Sequence, residues 1–292
     1  MRGQLVKTVS EIVKNDEYSV LLLGDIGVYG FRELLKNYPN RAYNIGILEQ
    51  STISLSAGLS ICGLVPIVHT IAPFIVERSF EQIKVDLCYQ GLGANLISVG
   101  SSYDYASLGP THHCPGDVGI LSNIPEIEII VPGHSDEFDR LFNQNYNNEF
   151  TSYFRLSESS NNDAYKVSFG KNITVRNGSK NVIVAVGPIL QSVLDAVDDI
   201  DINVIYCTTV KPFDNDSLKD FLDEKIIIVE PFYNGTLLSN ISNSIKKSKS
   251  IHSIGLPTSF ISKYGSKDDI DSLVGLDAMQ IRKKILEIIN EL

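Results

Sequence analysis

The chain has 292 residues, about twice a typical single domain, so two compact units are expected. Apolar residues make up 43% and charged residues 21%, which excludes a disordered or fibrous chain and leaves material for a sizeable core. A net charge of −10 with no Lys/Arg stripe argues against nucleic acid or an anionic membrane as the main partner.

The opening segment "MRGQLVKTVSEIVKNDEYSV" lacks the unbroken apolar core of a signal peptide and reads as an amphipathic helix, with Leu5, Val9 and Ile12 on one face. No apolar run approaches the ~20 residues that span a bilayer. Cys62, Cys88, Cys114 and Cys207 are widely spaced and form no CxxC pair, so zinc and disulfide readings are weak and a cytoplasmic location is expected.

Short β-branched runs then alternate with longer segments of helical period, the pattern of an α/β fold with a largely parallel sheet. Strands are predicted at 19–25, 41–47, 64–70, 94–100, 127–133 and 152–156. Helices are predicted at 49–63, at 74–90 and from residue 135, with Ser135 as N-cap. Pro66 favours the start of its strand or a bulge. The stretch 158–180 is polar, bears Gly and Asn, and lacks helical period, so the domain boundary is placed there. A second α/β unit comes next, with strands at 181–187, 202–207, 225–230 and 250–256. Its helices are predicted around 189–198, 214–223, 236–247 and 277–291. The expected architecture is α/β: two consecutive three-layer α/β/α domains, residues 1–165 and 166–292.

The loop at 101–117 carries two adjacent histidines, a thiol, two glycines and two prolines. Structureless loops beyond about 12–15 residues tend to be functional or disordered. In open α/β sheets, ligands bind outside the carboxyl ends of strands, the edge shared by Gly24-Asp25, Gly46–Glu49 and this loop. Glu49 opens a helix of small and apolar residues. Its charge complements the helix dipole by ~0.3–1 kcal/mol, which is a sufficient structural reason for a carboxylate there.

Its neighbours add a second reason. "YNIGILEQSTISLSAGLSICGLVPIVHTIAPFIVERSFEQIKVDL" resembles the pyrimidine-binding domain of transketolases, in which a G-[IV]-x-E-Q-like motif precedes a helix, a strand and an aromatic segment. "LGPTHHCPGDVGILSNIPEIEIIVPGHSDE" is similar to the family's D-G-x-T-H-Q segment and its I-P-x-x-x-V-x-x-P-x-D continuation. "VKPFD", "IIIVEPFYNGTL" and "GLDAMQIRKKI" look like its C-terminal domain, so the resemblance covers nearly the whole chain.

The resemblance implies thiamine diphosphate as cofactor. Glu49 would then hydrogen-bond the cofactor's aminopyrimidine, favouring the tautomer that deprotonates the thiazolium, and an apolar setting that raises the carboxyl pKa suits that task. Phe74 matches the aromatic that stacks on the aminopyrimidine. Phe80 either completes the pocket or belongs to the core, and Asp25 either lies near the cofactor or only forms a turn. His112 matches the histidine that exchanges protons with substrate, so Glu49 and His112 are the expected catalytic pair. His113 stands where the family has glutamine, and its role, like that of Cys114, stays open.

Full-length relatives also carry a diphosphate-binding domain with a G-D-G motif and a downstream Asn that hold Mg²⁺. This chain has only "GDIG" at 24–27, a strand end, so no metal site is expected within it. The resemblance thus implies the small subunit of a split enzyme, with Mg²⁺ held by a partner bearing the GDG motif. It also implies a heterotetramer and self-association through the C-terminal domain.

The substrate positions depart from the pattern. Leu108 stands where transketolases keep an aspartate, Gly100 where they keep a histidine, and Glu158 where an arginine binds sugar phosphate. Arg155 is the candidate substitute there, with Leu108 and His113 the other expected substrate-binding residues, although strand alternation turns Arg155 away from the face shared by Leu156 and Glu158. The expected activity is transfer of a two-carbon ketol or acyl unit from a small sugar or keto substrate that is not a standard sugar phosphate. The alternatives are an ordinary split transketolase, a deoxyxylulose-phosphate-synthase-like enzyme, a 2-oxo-acid dehydrogenase beta subunit, or a non-catalytic scaffold.

Overall fold

A computed structural model of the chain describes residues 1–221, 223–242 and 250–290. The strands are β1 (Ser19–Leu23), β2 (Ala42–Asn44), β3 (Val65–Ile71), β4 (Ala94–Val99), β5 (Glu128–Ile130) and β6 (Thr151–Arg155). Then come β7 (Ile173–Arg176), β8 (Val182–Val186), β9 (Asn203–Cys207), β10 (Thr209–Lys211), β11 (Lys225–Tyr233) and β12 (Ser250–Leu256). Between them run α1 (Arg2–Asn15), α2 (Arg32–Asn37), α3 (Glu49–Ile61), α4 (Ala72–Val76), α5 (Phe80–Gln82) and α6 (Asp117–Ser122). The remaining helices are α7 (Ser135–Asn145), α8 (Leu190–Ala196), α9 (Leu238–Ser242), α10 (Lys267–Val274) and α11 (Ala278–Asn290).

The strands form two sheets, ordered β10-β5-β6-β4-β3-β1-β2 and β12-β11-β8-β9-β7. Pairing is parallel throughout except at one edge of each: β10 runs antiparallel to β5 and β7 antiparallel to β9. Strand alternation explains the layering. Leu21 and Leu23 of β1 enter one apolar cluster, with Ile67, Ile97, Ile183 and Ile227. Val20 and Leu22 enter the other, with Val68, Leu96, Val184 and Ile228. Each sheet is therefore buried on both faces, as the continuous apolar strands require, and the expected α/β layering holds. Each fully buried leucine or isoleucine contributes about 1.5–3 kcal/mol.

Most predicted elements appear, with instructive differences. The 74–90 helix is broken: α4 ends at Val76, α5 starts at Phe80, and a π-helical stretch spans Ile83–Cys88. The N-cap of α7 is His134 rather than Ser135; its Nδ1 accepts the amide of Asp136, and Glu137 accepts the amide of His134 in return. The 214–223 helix forms as a 3₁₀ stretch over Asn215–Phe221, and its position 222 lies outside the described residues. The same holds for positions 243–247 of the 236–247 helix and for residue 291 of the last helix. β7 falls inside the polar stretch that carried no predicted element, and β10 returns the chain to the first sheet after β9 has entered the second. Among the described residues, no helix is long and apolar enough to cross a membrane.

Candidate functional site

The carboxyl ends of β1 and β2 bring the first residues together. Asp25 follows β1 in the left-handed region (φ 58°) and is locked to Asn44, exchanging amide and carboxylate contacts of 3.0 Å each way. Gly46, also left-handed (φ 85°), then turns the chain so that Glu49 opens α3. The Glu49 side chain is 7% exposed, and its Oε1 accepts a 2.9 Å charge-assisted bond from Nη1 of Arg78. Oε2 has no partner among the described residues.

Arg78 links Glu49 to the aromatic residues. Its guanidinium carbon lies 3.8 Å above the Phe74 ring, a cation–π contact. Phe74 meets the imidazole of His112 edge-on at 5.4 Å, and His112 meets Tyr105 at 6.1 Å. The Tyr105 hydroxyl accepts a bond from Arg2 at the start of α1. Glu49, Arg78, Phe74, His112, Tyr105 and Arg2 thus form one continuous row along the sheet edge. Local structure explains the placement. Pro73 seats the first turn of α4, and the break at residues 77–79 lets Arg78 turn back over that helix. A 2.9 Å contact between Thr111 Oγ1 and His112 Nδ1 orients the imidazole.

The other predicted residues lie apart from the row. Phe80 is half-buried and packs against the core cluster. Leu108 is 49% exposed on the histidine loop. His113 is buried, its Nε2 has no partner among the described residues, and desolvation lowers its pKa. Cys114 is fully buried; desolvation pushes its thiol well up, and it donates to Glu77 across 3.6 Å. That is the environment of an inert protonated thiol.

Arg155 is 1% exposed and committed inside the protein. Its Nε donates to Asp117 at 2.7 Å and its Nη2 to Ser102 at 2.7 Å, while its guanidinium stacks on Phe232 at 4.7 Å. The site at Glu158 therefore receives no cation from Arg155. Arg2 approaches instead, lining with Val99, Ser157 and the exposed Glu158 a cavity of about 300 Å³. At Gly100 (φ 73°) a Cβ would come within 2.1 Å of the Tyr105 ring, so the glycine is what lets that aromatic lie down.

Sequence reading missed Arg78, Tyr105 and Arg2. Arg78 stands four residues after Phe74, a spacing that brings side chains together on a helix, so a signal existed. The Arg2–Tyr105 contact spans 103 residues of chain and left none. The apolar frame expected around Glu49 is also incomplete, since a guanidinium lies against it. Among the described residues, no group of three or more His, Cys, Asp or Glu is placed to hold a metal ion.

Comparison with known proteins gives the same frame. The pyrimidine-binding domain of transketolase matches residues 2–162. An uncharacterized 33.6 kDa protein of the fasciation locus of Rhodococcoides fascians is 34% identical over 95% of this chain and 91% of its own. One of the subunits of an apulose-4-phosphate transketolase from Actinobacillus succinogenes is 31% identical over 63% of this chain and 62% of its own. A 1-deoxy-D-xylulose-5-phosphate synthase from Clostridium perfringens is 27% identical, and this chain spans 48% of its length. Among solved structures, a split-gene transketolase described as an inactive β4 tetramer superposes with TM-score 0.85 at 21% identity, covering 98% of this chain and 96% of that one. The transketolase of Campylobacter jejuni superposes with TM-score 0.82 at 17% identity, with 98% of this chain and 46% of that one covered. The chain belongs to the transketolase family, of which it carries the pyrimidine-binding domain.

Proposed function

We propose that this chain is one subunit of a thiamine-diphosphate-dependent transferase that moves a two-carbon ketol or acyl unit. In that assembly it supplies the pyrimidine half of the cofactor site. The observation that carries the proposal is Glu49: a buried carboxylate at a helix start, one oxygen held by Arg78 and the other free, beside Phe74 and His112. The residues fit the group, since a free carboxylate oxygen suits a ring nitrogen and a half-buried aromatic suits a heteroaromatic face. When bound, the cofactor would supply a nucleophilic carbon. Glu49 would hydrogen-bond a ring nitrogen through its free oxygen, Phe74 would orient the ring, and His112 would exchange a proton with the substrate carbonyl or hydroxyl. Arg78 lies across Phe74, so it rearranges as that face is used.

A partner chain bearing the GDG motif would hold Mg²⁺ and the diphosphate. A relative that is itself one subunit of a transketolase, and a split-gene structure, support that division. The substrate reading rests on Glu158, a carboxylate in the wall of the cavity beside Arg2, which disfavours a phosphate dianion there. Replacing Glu49→Gln tests the proposal. The expected result is an unchanged fold with activity of the reconstituted complex lower by several orders of magnitude; a variant within tenfold of the parent would remove Glu49 from the role.

A further inference from the structure

A cavity of about 250 Å³ lies between the two sheets' domains, and no step of the proposed function uses it. Its walls come from the root of the histidine loop, the segment after β6, the start of α8, and α10. None of the residues that line it belongs to the Glu49–Phe74–His112 row.

The hydrogen bonds on its walls are unevenly spent. The carboxylates are saturated: Asp104 accepts from Ser157, Ser101 and the amide of Glu158. Asp271 accepts from Lys267 through both oxygens and from Tyr103. Behind the wall, Asp117 accepts from Arg155, Tyr153 and the amide of Val118. What remains is donor capacity. Arg155 spends Nε and Nη2, while Nη1 finds no acceptor among the described residues. Lys267 Nζ spends its bonds on Asp271 alone, leaving a proton over, and Ser192 Oγ has no partner among the described residues. An oxyanion is the acceptor that matches a guanidinium N–H best. Ile189, Pro231 and Leu276 give the cavity apolar walls with room for more than the anion itself.

We propose that this interdomain cavity binds a small molecule through its carboxylate or phosphate group, held by Arg155 Nη1 and Lys267. Bound there, the ligand bridges the two domains and braces residues 101–104, the root of the loop whose far end carries His112. The site would therefore tune the order of that loop from outside the row.

The test uses the whole chain and needs neither thiamine diphosphate nor a partner, so its failure is distinct from failure of the proposed function. Thermal unfolding is followed against inorganic phosphate, acetate and glycerol phosphate, with potassium chloride at matched ionic strength as control. The expected result is a saturable rise in Tm with an oxyanion and none with chloride; acetate or the phosphates responding alone identifies which group the site takes. Lys267→Met and Ser192→Phe should retain the unliganded Tm within a few degrees and weaken binding at least tenfold. Equal shifts with chloride, no shift with any oxyanion, or undiminished binding in both variants would each overturn the proposal.

Discussion

Replacing Asp117→Asn examines the ion pair beneath the histidine loop. Asp117 and Arg155 have side chains 0% and 1% exposed and meet at 2.7 Å. The variant keeps the shape and removes the charge, leaving the guanidinium uncompensated in a dry site. Breaking a buried pair in this way costs about 3–5 kcal/mol. For a chain of this size each kcal/mol lowers Tm by roughly 2–4 °C, so a fall of roughly 6–20 °C is expected. Urea unfolding of the single variants and of Asp117→Leu with Arg155→Met completes the assay. Replacing both partners by apolar groups should be far less damaging than the sum of the single losses, with a coupling of about 2–3 kcal/mol. A single-variant cost below about 1 kcal/mol, typical of a hydrated surface pair, or strict additivity, would refute the reasoning.

Gly100→Ala forces a Cβ against Tyr105 at a left-handed φ, so a loss of about 2–4 kcal/mol is expected, and a urea midpoint equal to the parent's would contradict it. Glu230 is buried and desolvation raises its pKa to about 7, although Ser253 and the amides of Gly235 and Leu237 donate to it. The folded state therefore keeps a proton that the unfolded chain has released, so stability falls between the ordinary carboxyl pKa of 4.5 and about 7, on the order of 3 kcal/mol. A carbon-13 titration of the Glu230 carboxyl should show a midpoint near that upper value; a midpoint below the ordinary one opposes the prediction. Leu108→Asp should shift donor preference toward hydroxyketoses in the reconstituted complex, and an unchanged donor ratio would undo the alignment of that loop.

The layering was legible because strands such as "SVLLL" and "VIVAV" are apolar on both faces, which only a sheet covered on both sides accommodates. α1 was legible from its spacing, and its buried residues are Leu5, Thr8, Val9, Ile12 and Val13. The break in the 74–90 helix was not, because Phe74, Phe80 and Ile83 are apolar positions that a continuous helix also accommodates, and no glycine or proline marks residues 77–79. β10 was invisible for a similar reason: a three-residue strand has no periodicity to read, and what holds it is the open edge of β5. At the candidate site, Glu49 and Phe74 announce themselves by motif. Their electrostatic setting came from Arg78, and the row's continuation through Tyr105 to Arg2 is a product of folding alone.

The central claim is that this chain supplies half of a cofactor site. Calorimetry of thiamine diphosphate and Mg²⁺, with this chain alone and mixed with a partner bearing the GDG motif, tests it most directly. Saturable binding only in the mixture, abolished by Glu49→Gln, is the predicted result. Tight binding by this chain alone would contradict the divided site, and a mixture that binds equally well without the Glu49 carboxylate would contradict its chemistry.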